Sequence, residues 1–141
     1  MLRKDIEVTG IPETLAALAA LDVAADRQLD EVIDDAAETV ASRTRIAMPT
    51  GPQPGGHVRG SVRIDRGDLA ARVEHGGPRF PYAGWLEFGG HVGRHGSVAR
   101  QWIPRGRYLY PALSTVRPAL PLAIHEALRE AARESGWNPR G

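Results

Sequence analysis

The sequence predicts an α+β fold in which a small antiparallel sheet is packed by a long N-terminal helix and a C-terminal helix. Residues 23–47 and 108–135 carry apolar side chains at helical spacing, whereas residues 57–74 alternate in polarity around a turn, as in a hairpin. A chain of 141 residues has the usual size of one domain. We therefore expect a single domain, residues 1–141, whose sheet combines this hairpin with a short N-terminal strand.

The first third of the chain predicts a strand followed by two helices. Residues 2–9 alternate partly in polarity, which indicates a short strand. Pro12 suits the first turn of a helix, so we expect a helix over residues 12–21 and a longer one over residues 23–47. The longer helix has acidic residues in its first half and arginines in its last turn, which complements the helix dipole, and Pro49 ends it.

The next segment predicts a loop and then a β-hairpin. Residues 49–56 (PTGPQPGG) indicate a loop by composition alone. Residues 57–64 place valine and isoleucine on one parity and polar side chains on the other, as in a half-buried strand. We expect a turn over residues 65–68 and the return strand over residues 69–74.

The second half of the chain predicts a short helical turn, a long loop and an interrupted helix. Residues 81–88 (PYAGWLEF) hold an aromatic cluster, and residues 89–107 are rich in glycine and arginine without an acidic residue, which predicts a long loop. The C-terminal helix carries Pro118 and Pro121 near its start, so we expect a short turn, a kink and a regular helix that Gly136 terminates.

The charge distribution separates the two halves of the chain. Lysine and arginine number 18 and the acids 17, so the chain lacks the bulk positive field of a general nucleic-acid binder. Residues 1–50 nevertheless carry a net charge of −5 and residues 51–141 one of +6. Such a dipolar molecule favours head-to-tail contacts with copies of itself or with neighbours of alternating sign.

The residue inventory argues against several classes of protein. The chain has no cysteine, which excludes disulfides, thiolate metal sites and a cysteine nucleophile. No stretch approaches 18 uncharged apolar residues and the N-terminus has no signal-peptide pattern, so we expect no membrane segment and assembly in a cytoplasm. His91 and His95 have metal-pair spacing, but they lie in a glycine-rich loop without a carboxylate, which favours two solvated histidines. No nucleophile elbow, phosphate loop or dinucleotide fingerprint occurs, so we expect neither an enzyme nor a cofactor.

One acidic residue lies inside the aromatic cluster. Tyr82, Trp85 and Phe88 recur every third residue, which would align them along a helical turn as large apolar anchors. Glu87 lies between them without a polar neighbour. Two interpretations are open: it points to water from an amphipathic turn, or it is buried in an ion pair with an arginine that fixes the segment or a subunit contact.

The glycine-rich loop carries four arginines that form our candidate partner surface. They can contact phosphates, or they can reach acidic helix faces on a neighbouring copy, and a solvated loop is the plain alternative. The arginines are Arg94, Arg100, Arg105 and Arg107, and the acidic counterparts that we single out are Asp30 and Asp34.

Three segments in a fixed order, the first of which has two parts, resemble the head–tail joining (neck, or tail-completion) family of long-tailed bacteriophages. They are AMPTG at residues 47–51 followed by VRGSV at 58–62, then YAGWLEFG at 82–89, and then YLYPAL at 108–113, the last leading into a helix. The resemblance covers residues 2–135. The chain departs from the family pattern by an apparent insertion over residues 52–56, by Gly90 where threonine is usual, and by Arg107-Tyr108 where Pro-Phe is usual.

The resemblance implies a structural virion protein without catalytic activity or cofactor. Such a subunit forms a ring, sixfold or alternatively twelvefold, between the portal complex of the filled capsid and the tail. It implies a portal-side adaptor or stopper protein on one side, a tail terminator or tail-tube protein on the other, and DNA that passes through the lumen without sequence-specific binding. The expected location is the virion neck, assembled in the host cytoplasm.

Two alternatives stay open at this point. The first is a tail terminator that caps the tail tube, within the same structural class. The second is a small DNA-binding protein that uses the arginines of residues 94–107, for which we expect salt-dependent binding to duplex DNA.

Overall fold

The computed structural model describes residues 12–49 and 58–137, and within them the chain has an α+β fold. Its elements are four α-helices and two separate two-stranded antiparallel sheets. The predicted strand over residues 2–9 lies outside the described residues, as does most of the predicted loop over residues 49–56.

The N-terminal half is one helix and not two. Helix α1 (Pro12–Ala47) runs continuously through the boundary that we expected near residue 22, because no proline or glycine interrupts the sequence after Pro12. The C-terminal helix α4 (Leu120–Ser135) packs along it. Ala24, Ala127 and Ala131 are buried, and small side chains of this kind let two helices approach closely.

The predicted hairpin is confirmed, with its first strand shifted. Strands β1 (Arg63–Gly67) and β2 (Ala70–Glu74) pair antiparallel, with Ile64 opposite Val73. The strand expected over residues 57–64 was wrong at its start, because Val58–Ser61 form a 3-10 turn. The turn buries both Val58 and Val62, which a strand would also have placed on one side, and the Ser61 hydroxyl holds it by donating to the Val58 carbonyl at 2.6 Å.

The predicted long loop over residues 89–107 contains a second hairpin, so the prediction of a structureless segment was wrong. After helix α2 (Ala83–Phe88), strands β3 (Gly90–Val92) and β4 (Val98–Arg100) pair around a short 3-10 turn, Arg94–Gly96. The glycines that indicated a loop serve this tight reversal, where the backbone adopts positive φ angles.

The C-terminal region is an interrupted helix, as the two prolines predicted. Helix α3 (Leu109–Val116) is followed by the 3-10 segment Arg117–Ala119 and then by α4, which Gly136 ends in a left-handed conformation. The prolines fall in the first turn of each of the last two segments, where a missing N–H costs no hydrogen bond.

The core lies where α1, the first hairpin and α2 meet. Its buried members are Ala41, Met48, Val58, Val62, Ala83 and Leu86. Phe80, Tyr82, Trp85 and Tyr108 pack against this cluster and are partly exposed. None of the helices in the described parts of the chain is long and apolar enough to cross a membrane.

Candidate assembly surface

Glu87, in the aromatic segment of residues 81–88, is buried and contacts several other parts of the chain. Helix α2 turns Ala83 and Leu86 into the core, and Glu87 follows with only 1% of its surface exposed. Its carboxylate points at the start of α3. There Oε2 accepts the backbone N–H of Tyr108 at 2.8 Å, and Oε1 accepts those of Leu109 at 2.9 Å and Tyr110 at 3.1 Å.

This carboxylate therefore caps a helix that lies more than twenty residues away in sequence. The first N–H groups of a helix have no partner within the helix, and the positive end of the helix dipole favours an anion there. Charge-assisted hydrogen bonds of this kind are stronger than neutral ones. Glu87 consequently fixes the position of α3 relative to α2.

Of the two interpretations that the sequence left open for the Glu87 side chain, the exposed one was wrong, and the buried one was right about burial but wrong about an arginine ion pair. It does not point to water, and its carboxylate takes part in no ion pair among the described residues. The Arg107 guanidinium donates instead to the main-chain oxygen of Glu87 at 3.3 Å and to that of Gln101. The Arg107 N–H lies 3.4 Å from the carboxylate, so arginine supports the junction through backbone contacts.

Two glycines allow close approaches of the chain at this junction, one to Glu87 and one to Gln101. Gly106 has φ +74°, and a Cβ there would lie 2.8 Å from Glu87 Oε1. Gly89 has φ +93°, and a Cβ there would lie 2.0 Å from the Gln101 carbonyl oxygen. The close approach brings the Phe88 carbonyl to the N–H of Ile103 at 2.7 Å, which joins α2 to the segment after β4.

The three aromatic anchors of α2 have different partners. Tyr82 lies edge-on to Phe80, with 6.1 Å between ring centroids, beside the core. Trp85 donates its indole N–H to the Gly90 carbonyl at 3.1 Å. Phe88 is partly buried and packs against the rings of Trp102 and Tyr110, which the sequence did not single out, at 5.8 Å and 5.3 Å between centroids.

The four candidate arginines separate into two structural and two exposed ones. Arg100 lies over the rings of Trp85 and Tyr108 and donates to the Tyr108 hydroxyl at 2.7 Å. Arg107 supports the Glu87 junction, as described above. Arg94 and Arg105 are exposed, and neither forms an ion pair with another described residue.

The two candidate acidic residues contact the first hairpin of their own chain. Asp30 accepts the N–H of Leu69 at 3.0 Å, in the turn between β1 and β2. Asp34 pairs with Arg66 at 3.1 Å, and the same guanidinium contacts Glu38 at 2.6 Å. The hydrogen bond to Glu38 is the main reason why the pKa of Arg66 is raised. This stretch of α1 is therefore partly neutralised within the chain, and its role as an intermolecular contact stays a prediction.

A groove beside the Glu87 junction exposes apolar and basic side chains together. It has a volume of about 570 Å³, and Ile103, Arg105, Tyr110, Leu113 and Arg117 line it. Tyr110 is 48% exposed and Trp102, which joins Tyr110 through the Phe88 ring, is 61% exposed. We call these six residues the aromatic–arginine groove.

Trp102, Tyr110 and Arg117 were not among the candidate residues predicted from the sequence. A tryptophan in an otherwise polar and glycine-rich segment was the available signal for Trp102. Tryptophan, tyrosine and arginine are the residue types enriched at the centres of protein interfaces. Their joint exposure makes the groove the strongest candidate contact surface of the described chain.

The histidines form no metal site among the described residues. His91 Nδ1 lies 3.3 Å from the Gly96 carbonyl oxygen, within the turn of the second hairpin. His75 is partly buried and its Nδ1 atom has no hydrogen-bond partner among the described residues. Burial lowers the pKa of His75, and the nearby Glu87 carboxylate opposes that effect.

Comparison with known proteins finds no matching family model, no matching curated protein and no matching solved structure.

Proposed function

We propose that the chain is a structural subunit of a bacteriophage neck, which forms a ring between the capsid portal complex and the tail. The supporting observation is the contact between two of the motifs that carry the family resemblance. Glu87 of YAGWLEFG binds the N–H groups that begin the helix of YLYPAL. Two motifs that are separate in sequence thus act as one structural unit.

The surroundings of this unit also suit an assembly protein. The aromatic–arginine groove offers exposed tryptophan, tyrosine and arginine next to a rigid, buried junction. The proposed role needs no catalytic group and no cofactor. In it, the portal-side adaptor or stopper and the tail-side terminator or tube protein are the partners, and DNA passes through the ring.

Deletion of the gene tests this proposal directly. We expect the phage or prophage lacking it to produce DNA-filled heads and finished tails that remain separate, and a plasmid copy to restore joined particles. Electron microscopy of the lysates counts the two forms. Normal particles from the deletion strain would contradict the proposal, and a plasmid carrying an early stop codon is the control.

A tail terminator is the nearest alternative, and a pull-down separates the two roles. A neck subunit retains the portal-side protein, whereas a terminator retains only the tail-tube protein.

The composition of the groove also favours single-stranded DNA as a second candidate ligand, because aromatic rings and arginines stack on bases. Fluorescence anisotropy with labelled single-stranded and duplex DNA at low salt tests this, and absence of binding would end that alternative.

A further inference from the structure

The N-terminal half of α1 carries exposed apolar side chains, and beside them exposed acidic ones that pair with no described residue. Asp22 and Asp26 are exposed and form no ion pair with a described residue. Leu18 and Val23 are 42% and 71% exposed. At 100° per residue these four side chains span one arc of the helix surface. We call them the acidic tip.

The acids of the tip differ from the other acids of α1. Asp30, Asp34 and Glu38 contact the first hairpin, and Glu31 pairs with Arg27. Arg27 also pairs with Glu134, so both ion pairs of this guanidinium are with other acids of the described chain and not with Asp22 or Asp26. The negative charge at Asp22 and Asp26 is therefore available to an external partner.

The acidic tip also adjoins an apolar cleft. A cleft of about 420 Å³ opens beside it between α1 and the end of α4, and its walls are apolar apart from Asp22. Leu18 and Leu128 line this cleft, and Leu128 is 43% exposed. An apolar residue of a partner can pack here while its basic neighbours contact the carboxylates.

The aromatic–arginine groove has the complementary chemistry. Its lining holds Arg105 and Arg117 and no acidic residue. Both arginines are exposed, and neither forms an ion pair with a described residue. The Glu87 carboxylate lies next to Gly106 in the groove wall and is already bound by backbone N–H groups. Trp102 and Tyr110 provide apolar surface to match Leu18 and Val23.

The tip and the groove cannot meet within one chain. Helix α3, which carries the groove, packs near Ile33, Ala37 and Val40 of α1. From Ala37 to Asp22 the helix rises by roughly 20 Å. Two complementary surfaces separated in this way pair between molecules, in a head-to-tail contact that repeats from copy to copy.

We propose that the acidic tip of one copy docks into the aromatic–arginine groove of a second copy of this chain. This inference names the subunit contact of the proposed ring, and in that sense it rests on the proposed function. It moves the acidic side of the contact from Asp30 and Asp34 to Asp22 and Asp26, because the structure shows the former pair bound in cis. On the basic side of the contact, the residues are Arg105, which the sequence already indicated, and Arg117.

Charge reversal tests this contact with the full-length protein. The tip variant carries Asp22→Arg and Asp26→Arg, and the groove variant carries Arg105→Glu and Arg117→Glu. Sedimentation velocity over a concentration series measures self-association. We expect the wild type to associate and each variant alone to associate roughly 100-fold more weakly or worse, because like charges then face each other.

Mixing the two variants provides the sharper result. In an equimolar mixture every contact pairs opposite charges again, so we expect association to return to the wild-type level. Arg43→Glu and Asp65→Arg are matched controls, since both residues are exposed, lie outside the two surfaces and form no ion pair with a described residue. Circular dichroism of every variant checks that the helices are intact.

Three outcomes would overturn the inference: a wild type that stays monomeric throughout, variants that associate like the wild type, or a mixture that is not rescued. Loss of DNA binding in the groove variant, with self-association unchanged, would assign the groove to nucleic acid instead. Failure of the contact is distinguishable from failure of the neck function. If gene deletion leaves heads and tails unjoined but the variants fail the association test, the neck function is supported and this contact is refuted. If the deletion strain makes normal particles but the mixture of variants is rescued, the contact is supported and the neck function is refuted.

Discussion

The carboxylate of Glu87 lies so close to Gly106 that a Cβ at residue 106 would come within 2.8 Å of Glu87 Oε1. The same carboxylate accepts three backbone N–H groups at the start of α3 at distances between 2.8 and 3.1 Å. The junction thus combines a buried anion, a helix N-terminus and a glycine that leaves room for both. Helix α3 and the groove beside it depend on this arrangement.

Glu87→Gln tests the charge of the buried cap. The amide keeps the shape of the side chain but replaces one acceptor oxygen by a donor that faces N–H groups. We expect the free energy of unfolding to fall by about 2–3 kcal/mol, since hydrogen bonds to a charged group are lost and a buried donor stays unpaired. Urea denaturation measures this. Glu126→Gln, at an exposed site on α4, is the control, for which we expect a change within about 0.5 kcal/mol.

Gly106→Ala tests the close approach, with Gly136→Ala as its matched control. Both glycines have positive φ angles, +74° and +71°, but a Cβ at Gly136 meets nothing within 4 Å. We expect Gly136→Ala to cost about 1 kcal/mol for backbone strain alone, and Gly106→Ala to cost at least about 1 kcal/mol more because Glu87 must shift. If urea denaturation gives the same loss in the free energy of unfolding for both variants, the close contact with Glu87 does not contribute to stability.

Because the His75 side chain is partly buried, we expect the protein to lose stability in mild acid. Burial lowers its pKa in the folded state below the ordinary value of 6.5, while the Glu87 carboxylate raises it and Arg63 lowers it. The unfolded chain therefore binds the proton more readily than the folded chain, and stability falls as the pH drops below about 6.5 until the folded-state pKa is passed.

The His75→Gln variant isolates this effect. We expect the free energy of unfolding of the wild type to decrease between about pH 7.5 and 5.5, and that of the variant to decrease less. Urea denaturation at both values measures the difference. His125→Gln, at an exposed site on α4, is the control. An identical pH dependence in wild type and His75→Gln would refute the assignment.

Arg100→Lys tests the packing of the second hairpin onto α2. The guanidinium lies 5.5 Å from the Trp85 ring centroid and 5.9 Å from that of Tyr108, and it donates to the Tyr108 hydroxyl. A lysine keeps the charge but loses the planar stacking, so we expect a loss of about 1 kcal/mol in the free energy of unfolding. Arg94→Lys, exposed in the same hairpin, should leave it unchanged.

The features that the sequence predicted correctly are those with local causes. The 3.6-residue period of apolar side chains indicates the helical segments of α1 and α4, the prolines indicate the interruption before α4, and Gly136 indicates the end of α4. The first hairpin follows from its alternation. The second hairpin was missed because its strands, GHV and VAR, have only three residues each, which is too short for an alternation to be recognised.

The sequence by itself determined the α+β class, the main helices and the first hairpin, because short-range periodicity and turn residues specify them. It also indicated residues 82–88 as a candidate contact segment, because an acidic residue lies there among aromatic ones. Only the tertiary structure decided what these residues do. The partners of Glu87 are backbone N–H groups, which every residue carries and no pattern of side chains reveals. The partners of Asp30 and Asp34 lie more than thirty residues away. Folding alone decides which charges are matched within the chain and which remain exposed for another molecule.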